Sequence, residues 1–288
     1  LSYAFSGKLL GDYAQTKQGF ATGNNDLFLR FWQEVGLENS ALPLSLKSEA
    51  TTTNMKWFPC NKGGSFRKWY GNNSYLVNWE NDGNQMRNYK GSVIRNSQFY
   101  FREGITWSSL ASQLSLRYSP KGFLFESKGS MCYTKGYIDV RYLLGLLNSK
   151  VASEALSVLS PTLDFHEGPM AKVPVMFSEK NNDIILRLVN DCIEVSHEDW
   201  DSFETSWNFH IHPLIWGTYI SDWNGGCKVT VAETYTRWKE KCTKRFIKLK
   251  NNEEALNCIF INIYGMQDEL TPEIADKDVT VYRIFDTK

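Results

Sequence analysis

Few of the residues that could act in catalysis or bind a cofactor occur in a known catalytic or cofactor-binding motif. The sequence has no GxxxxGK[ST] loop for a nucleoside triphosphate, no GxGxxG for a dinucleotide, no GxSxG for a nucleophilic serine and no HExxH for zinc. His210 and His212 would project to one side of a strand and could form half of a metal site. No third ligand accompanies them, so we expect a structural role. The pair His166 and Glu167 has no partner that would make it catalytic, and catalysis by these residues is not expected.

Two glycine-containing segments near the start could instead contact a ligand through the backbone. Residues 5–7 (Phe-Ser-Gly) resemble the opening of an FxGxG cofactor loop, but Leu9 stands where its second glycine would be. Residues 19–26, a GFATGNND turn that contains Thr22 and Asn24, could present backbone amides to a phosphate, or be a tight loop before a strand. None of the eight prolines is adjacent to another, so the (Asn/Asp/Ser)-Pro-Pro-(Tyr/Phe) loop of amino-group methyltransferases is absent.

The formal net charge of zero hides a strong asymmetry along the 288 residues. Residues 47–121 hold eleven Lys or Arg against four acids, and residues 178–288 hold thirteen against nineteen. A surplus of cations on one part of a neutral chain is typical of a surface that binds a polyanion. Aromatic residues are interleaved with these cations. They could stack on bases or sugars, or form a core covered by Lys and Arg stems, and composition favours neither.

The elements that must position these residues divide the chain in two. Residues 1–177 are rich in β-branched and aromatic residues broken by Gly and Asn, which is typical of short strands joined by tight turns. Within them, residues 117–125 predict a hairpin that turns at Pro120. Residues 178–288 are mostly helical in pattern and acidic. The sequence therefore predicts an α+β fold, with a strand-rich mixed α/β domain at 1–177 and a helical C-terminal region at 178–288.

Four helices follow from apolar residues that recur every three or four positions. The first begins at Asp139 as its N-cap and ends before Pro161, and the second covers residues 183–195. The third covers residues 231–250. The fourth runs from about residue 252 to 264, where Gly265 takes the position that follows a helix end.

Composition also indicates where the protein works. No stretch approaches the roughly 18 apolar residues that a membrane span requires. The sequence does not open with a signal peptide or an initiator Met, so we expect a piece of a longer protein. The absence of any CxxC pair favours reduced thiols in a cytoplasmic protein. The six scattered cysteines are Cys60, Cys132, Cys192, Cys227, Cys242 and Cys258.

Several long runs resemble one family of proteins. Residues 56–73 (KWFPCNKGGSFRKWYGNN) and 77–83 (VNWENDG) closely resemble a segment of the PglX adenine-specific DNA methyltransferases of BREX phage-defence systems, which are related to type IIG restriction–modification enzymes. Residues 101–108 (FREGITWS), 142–152 (YLLGLLNSKVA) and 261–273 (INIYGMQDELTPE) resemble the same family, and residues 17–35 do so less strongly. The likeness covers nearly the whole chain and is weakest around residues 196–230.

The resemblance implies a role without the family's catalysis. In that family these stretches form the target-recognition domain and a following helical segment, C-terminal to the methyltransferase domain. The cofactor and Asn-Pro-Pro-Tyr motifs have no counterpart here, so no catalytic residue or cofactor is expected in this fragment, whereas the full-length enzyme would use S-adenosylmethionine. The implied partners are double-stranded DNA, the protein's own missing N-terminal methyltransferase domain and other defence-system subunits. The implied function is recognition of a DNA sequence, with the target adenine extruded into the missing domain.

The charge pattern and the resemblance together point to a set of DNA contacts. Cationic side chains that could bind phosphates are Lys62, Arg67, Lys68, Arg87, Lys90, Arg95, Arg102, Arg117 and Lys121. Side chains suited to base edges are Gln85, Arg87, Asn88, Arg95, Asn96 and Gln98, because Arg pairs with guanine and Asn or Gln with adenine. We expect a part of these residues to be structural, and Trp57, Trp69, Tyr70 and Trp79 to belong to the core.

Two alternatives remain open. The same specificity region could come from a type IIG restriction enzyme, which only sequence upstream would distinguish. An alternative of another class is a carbohydrate- or protein-binding module, in which Trp57, Trp69 and Trp79 would form a row of exposed stacking platforms. A contiguous basic face would favour DNA instead.

Overall fold

A computed structural model describes residues 7–42, 55–160, 164–215 and 230–284. In these residues two four-stranded sheets come first along the chain and the long helices follow, which confirms the α+β class. None of the described helices combines the length and the apolar composition that crossing a lipid bilayer requires. Pro161 and Cys227 lie outside the described residues.

The first sheet is antiparallel throughout, in the order β1-β8-β5-β6. Its strands are β1 (Ala14–Lys17), β5 (Gly104–Trp107), β6 (Leu116–Ser119) and β8 (Met131–Thr134). One face carries apolar side chains into a core shared with the helices. The other face turns toward the second sheet, so neither face of β5 is exposed to solvent.

The second sheet has the order β2-β4-β3-β7. Its strands are β2 (Leu29–Phe31), β3 (Trp57–Asn61), β4 (Tyr75–Asn78) and β7 (Leu124–Phe125). The pairs β2–β4 and β3–β4 are antiparallel, whereas β7 runs parallel to β3. The run of residues 56–83 therefore supplies both central strands of this sheet.

The hairpin predicted at residues 117–125 is wrong. β6 belongs to the first sheet and β7 to the second, so the chain changes sheets at this turn. The physical reason is the unbroken apolar run Phe123, Leu124 and Phe125, whose side chains are at most 2% exposed. Such a run has no polar face that could be exposed to solvent. It therefore forms β7, which pairs with β3 in the second sheet and not with β6.

Among the described residues, four short helices lie close to the strands. They are α1 (Leu10–Tyr13), α2 (Asn25–Phe28), α3 (Glu80–Arg87) and α6 (Glu167–Ala171).

The helix predicted from Asp139 is two helices. The Asp139 carboxylate accepts a hydrogen bond from the amide of Arg141, which confirms it as the N-cap. The helix then breaks between α4 (Val140–Leu147) and α5 (Lys150–Leu159).

The break follows from the Asn148 side chain. Its Oδ1 accepts from the amide of Leu116 and its Nδ2 donates to the carbonyl of Leu116, both at 3.0 Å. The amide side chain thereby acts as a strand partner for the edge strand β6. Ser149 then caps α5 by accepting from the amide of Ala152.

The two long helices lie in the C-terminal region. α7 (Asn182–Trp200) extends the predicted helix at 183–195 by one turn. α8 (Val231–Tyr264) is one helix of 34 residues where two were predicted, because no Gly or Pro interrupts it and Leu249 and Leu256 stay on the same buried face. Gly265 ends α8 with a φ of 63°, which confirms its predicted position.

Buried apolar residues form two clusters. The larger one joins the first sheet to α4, α7 and α8 and includes residues from Leu10 to Val281. The smaller one lies around the second sheet and contains Phe20, Trp79 and Phe125. The boundary at 177/178 stays a prediction, and the larger cluster has members on both sides of it.

The cysteines of the described chain are free thiols, as predicted. Cys258 is exposed. Burial raises the pKa of the Cys132 thiol to about 12, so this thiol stays protonated at neutral pH. Cys60, Cys192 and Cys242 are also buried, and no group of three metal-ligating side chains occurs within the described ranges.

Buried ion pairs fasten the 56–83 run to the long helices. The Lys68 ammonium lies 2.7 Å from one carboxylate oxygen of Glu253 on α8, and the indole Nε1 of Trp69 donates to the other at 2.7 Å. Arg67 pairs with Asp199 on α7 at 3.0 Å. We call these five residues the polar junction.

Arg67 is held by more than its ion pair. Its guanidinium also donates to the carbonyls of Tyr70, Ser196 and Thr280. Burial lowers the pKa of Arg67, and the neighbouring Asp199 carboxylate opposes that shift by favouring the charged form.

A left-handed turn opens α3. Asn81, Asp82 and Gly83 have φ values of 50°, 56° and 71°, so three consecutive residues adopt a conformation that side chains disfavour. A Cβ added at Gly83 would lie 2.6 Å from the ring of Trp79, so only glycine fits against this indole.

The polar junction predicts a large effect of removing one charge. Lys68→Ala leaves Glu253 buried without a counter-ion, and we expect the free energy of unfolding to fall by about 3–5 kcal/mol, measured by urea denaturation. Lys250→Ala, which removes an exposed partner of Asp276, is the control and should change stability little. The double variant Lys68→Met/Glu253→Leu should recover only part of the loss, because it also removes the acceptor of the buried Trp69 indole. A Lys68→Ala midpoint equal to that of the unsubstituted chain would contradict this.

The left-handed turn predicts that Gly83 tolerates no side chain. Gly83→Ala should lower the free energy of unfolding by about 1–3 kcal/mol, because the new methyl meets Trp79 and the backbone stays at positive φ. Gly168→Ala is the matched control, since a Cβ there meets open space and φ is not positive. Equal thermal midpoints for the two variants would argue against the turn geometry.

Candidate nucleic-acid interface

Three cations surround a cleft at one side of the first sheet. Arg102 and Lys135 line this cleft of about 440 Å³, and Lys17 lies beside it with its ammonium 5.1 Å from the ring centre of Phe99. We call it the basic cleft. Its lining residues are Gln15, Phe99, Arg102, Tyr133, Thr134, Lys135 and Gly136.

Strand pairing explains how distant segments meet here. Gln15 on β1 is the antiparallel partner of Tyr133 on β8. Because side chains alternate along a strand, Lys17 lies on the same face as Gln15. Lys135 follows directly after β8, and its ammonium donates to the carbonyl of Gly11 at 2.6 Å.

Stacked rings hold Arg102 in place. Phe99 and Tyr133 stack with their ring centres 5.1 Å apart. The Arg102 guanidinium lies 5.3 Å from the first ring centre and 5.7 Å from the second. The neighbouring Glu103 accepts a hydrogen bond from the Tyr118 hydroxyl, so its carboxylate is already engaged.

The cleft favours an anion. None of its lining residues is a carboxylate. The Tyr133 hydroxyl is buried and has no hydrogen-bond partner among the described residues. Burial raises the pKa of Tyr133 and the charge of Arg102 opposes the shift, so the hydroxyl remains a neutral donor at physiological pH. Two ammonium groups and one guanidinium are suited to a phosphate.

A turn with amide side chains adjoins the basic cleft. Asn96 has a φ of 54° and its Nδ2 donates to the carbonyl of Gln18 at 2.9 Å, which joins the turn to the end of β1. The carbonyl of Arg95 accepts from the hydroxyl of Tyr100 at 2.9 Å. Gln98 is exposed on this turn, next to Phe99 of the cleft.

Arg87 extends the cationic surface from α3. The charges of Arg87 and Arg95 both oppose the rise that burial causes in the pKa of Tyr100, so both guanidinium groups lie near that hydroxyl. The Arg87 guanidinium also lies 5.2 Å from the ring centre of Trp79 and donates to the carbonyl and carboxylate of Asp82. Its donors are thus partly used within the left-handed turn.

Two predicted base readers on α3 are exposed and locally bonded. Gln85 accepts from Nδ2 of Asn78 at 3.1 Å. The Nδ2 of Asn88 donates to the carbonyl and side chain of Asn84.

The turn at residues 19–26 uses its polar side chains internally. Thr22 is 3% exposed and its hydroxyl donates to Oδ1 of Asn25. Asn24 caps α2 by accepting from the amide of Leu27 and donates to the Tyr89 hydroxyl. These contacts favour the tight-loop interpretation of the turn.

Three predicted phosphate contacts are inside the protein. Lys68 and Arg67 belong to the polar junction. Arg117 is 2% exposed, and burial together with repulsion from Arg67 lowers its pKa to about 10. Because a buried cation cannot reach a phosphate without leaving its site, the structure gives these three side chains structural positions.

The remaining predicted cations lie at different places. Lys90 is exposed at the end of the α3 segment. Lys121 is exposed on a turn. The amide of the next residue, Gly122, donates to the carbonyl of Phe101, so the backbone of this turn lies close to the segment that contains Arg102. Lys62 is in another cleft, with its ammonium 4.3 Å from the ring centre of Tyr75.

Sequence reasoning missed Lys17 and Lys135, which lie outside the cation-rich residues 47–121. The signal that could have found them is the pairing of β1 with β8, and a single sequence does not specify such pairing.

The row of exposed indoles that carbohydrate binding would need is not formed by the three tryptophans considered. Trp69 and Trp79 are 1% and 3% exposed, and Trp57 is partly buried. The expectation of core positions is confirmed for Trp69, Trp79 and Tyr70. His210 lies outside any strand, which removes the geometry assumed for a paired metal site.

Comparison with known proteins gives two relatives. No protein-family model matches the chain. It is 41% identical to the adenine-specific methyltransferase PglX of Lacticaseibacillus casei (strain Zhang), over 97% of the chain and 23% of that protein. It is 38% identical to the adenine-specific methyltransferase BrxX of Escherichia coli O9:H4 (strain HS), over 86% of the chain and 19% of that protein.

The chain thus spans less than a quarter of the length of the curated relatives that it matches. Identity of about two residues in five across almost the whole chain agrees with the resemblance seen in residues 56–83. The chain is therefore a homologue of a segment of the PglX and BrxX adenine-specific methyltransferases.

Proposed function

We propose that this chain is the DNA-recognition part of an adenine-specific DNA methyltransferase of a phage-defence system. The observation that carries the proposal is the basic cleft, where Lys17, Arg102 and Lys135 meet without a lining carboxylate. The two relatives are named adenine-specific methyltransferases, and we infer from those names a substrate that carries phosphate charges. The cleft supplies the charge and the hydrogen-bond donors that such a substrate needs.

Phosphate binding at the cleft would fix the register of the duplex. Lys17 and Lys135 supply ammonium charges, and Arg102 is oriented by the Phe99 and Tyr133 rings beneath it. These contacts position the protein without reading sequence.

Base reading would come from the turn and helix beside the cleft. Gln98 is exposed on the turn, Arg95 is half-buried next to it, and Asn88 is exposed on the α3 segment. Amide and guanidinium side chains form paired hydrogen bonds with adenine and guanine edges in the major groove. Asn96 is less free, because its Nδ2 already bonds the carbonyl of Gln18.

Methyl transfer is assigned to other parts of the whole protein. The sequence holds no Asn-Pro-Pro-Tyr loop, so we assign S-adenosylmethionine and the extruded adenine to a methyltransferase domain outside this chain. Contacts with that domain and with other defence-system subunits in the cytoplasm form part of the same proposal. Origin in a type IIG restriction enzyme would give the chain the same recognition role.

The first test measures the salt dependence of duplex binding. Changing Lys17, Arg102 and Lys135 together to Gln should weaken binding to all sequences alike. The slope of log affinity against log salt should fall by about 2–3, because each phosphate that the protein no longer neutralises lowers it by about 0.9. A triple Gln variant of the exposed Lys172, Lys180 and Lys277 is the charge-matched control and should keep the slope. Equal slopes for both triple variants would refute the cleft as the DNA site.

The second test distinguishes sequence-specific base recognition from non-specific electrostatic binding to DNA. Gln98→Ala should reduce the preference for the recognised duplex over a scrambled one by about tenfold, the effect of removing one paired hydrogen bond to a base, and leave the salt slope unchanged. Gln113→Ala, at another exposed glutamine, is the control. Competition binding with a randomised duplex library measures both. An unaltered preference in Gln98→Ala would exclude this side chain as a reader.

A further inference from the structure

A second cationic surface lies on α8, within the acidic region. Arg237, Lys241, Lys244 and Lys248 follow one another at spacings of four, three and four residues, which places them along one face of the helix. All four are exposed. We call them the cationic stripe.

The stripe is dense in charge and sparsely neutralised. Residues 237–250 hold seven Lys or Arg and one acid, Glu240, although residues 178–288 are acidic as a whole. Glu233, one turn before Arg237, is a further acid, and hydrogen bonds from Thr230 and the charge of Arg237 lower its pKa. Lys248 pairs with Asp191 at 2.9 Å. Arg237, Lys241 and Lys244 form no salt bridge with any residue that the structure describes.

The opposite face of α8 holds the stripe rigid. Trp238, Cys242, Phe246 and Leu249 are all 5% exposed or less and pack inward. Like charges four residues apart on a helix disfavour it by about 0.2–0.5 kcal/mol for each pair. Packing of the buried face therefore maintains a row of repelling charges at fixed spacing, ready for an anionic partner.

The cleft beside the stripe is lined by both acids and bases. Arg237 and Lys241 line a cleft of about 630 Å³ together with His210, and Glu198 is an acid in that lining. The other acid there, Asp201, is engaged by His197 at 3.1 Å and by the Ser206 hydroxyl.

We propose that the cationic stripe binds the phosphate backbone of duplex DNA as a second contact, apart from the basic cleft. The inference rests on the proposed function for the identity of the ligand. From Arg237 to Lys248 the stripe rises about 16 Å. One strand of duplex DNA presents a phosphate about every 3.4 Å along the axis, which gives about five over that length. The four cations of the stripe approach this linear density, and the helical region would then contribute a second contact to the duplex.

The test replaces the stripe in the whole 288-residue chain. Changing Arg237, Lys241 and Lys244 to Gln should weaken binding to a mixed-sequence duplex by about tenfold or more at low salt and reduce the salt slope by about 2–3. The triple Gln variant of Lys172, Lys180 and Lys277 is again the control, because it removes the same charge elsewhere. Thermal melting should show both variants folded, since these side chains are exposed.

The outcomes separate this inference from the proposed function. An unchanged slope for the stripe variant, with a reduced slope for the cleft variant, overturns the stripe alone. A reduced slope for the stripe variant alone supports the stripe and overturns the cleft. Failure of the unsubstituted chain to bind duplex at low salt overturns both. Binding of polyglutamate that is lost in the stripe variant, together with an unchanged salt slope for duplex in that variant, would overturn duplex DNA as its ligand in favour of an acidic protein.

Discussion

The rest of the structure depends on burying two cations against two acids that are far away in the sequence. Lys68 reaches Glu253 across 185 positions, and Arg67 reaches Asp199 across 132. A buried charge without its partner costs several kcal/mol, so the 56–83 run is stable only where α7 and α8 place these carboxylates. The stability of the strands in this run therefore depends on the position of the two long helices.

The cations of the chain therefore fall into two groups, those that are buried and those that are exposed to a ligand. Arg67, Lys68 and Arg117 neutralise or fill the interior, so a count of charges overstates the surplus available to a ligand. Exposed cations lie at the basic cleft, which joins residues from distant strands, and at the cationic stripe, which lies on one helix within an acidic region. Stacked rings support the first surface and the packed face of α8 supports the second.

The local predictions succeeded where a single side chain decides the outcome. Asp139 caps its helix, Gly265 ends α8, and the indoles of Trp69 and Trp79 are buried. The local predictions failed where hydrogen bonds or strand pairing with a distant segment decided the backbone conformation. Asn148 interrupts a helical pattern because its amide bonds an edge strand, and a hairpin pattern ends in two different sheets because the second strand is apolar throughout.

The sequence by itself indicated the α+β class, the start of α4 at Asp139, the end of α8 at Gly265 and the likeness to adenine-specific methyltransferases, because each depends on residue type and short spacing. It also indicated that cations and aromatics lie together in residues 47–121. Only the tertiary structure decided which of those cations are free. Burial and strand pairing depend on contacts between segments over a hundred residues apart, and such contacts leave no local pattern, so Lys68 entered the core while Lys17 and Lys135 came together at a cleft.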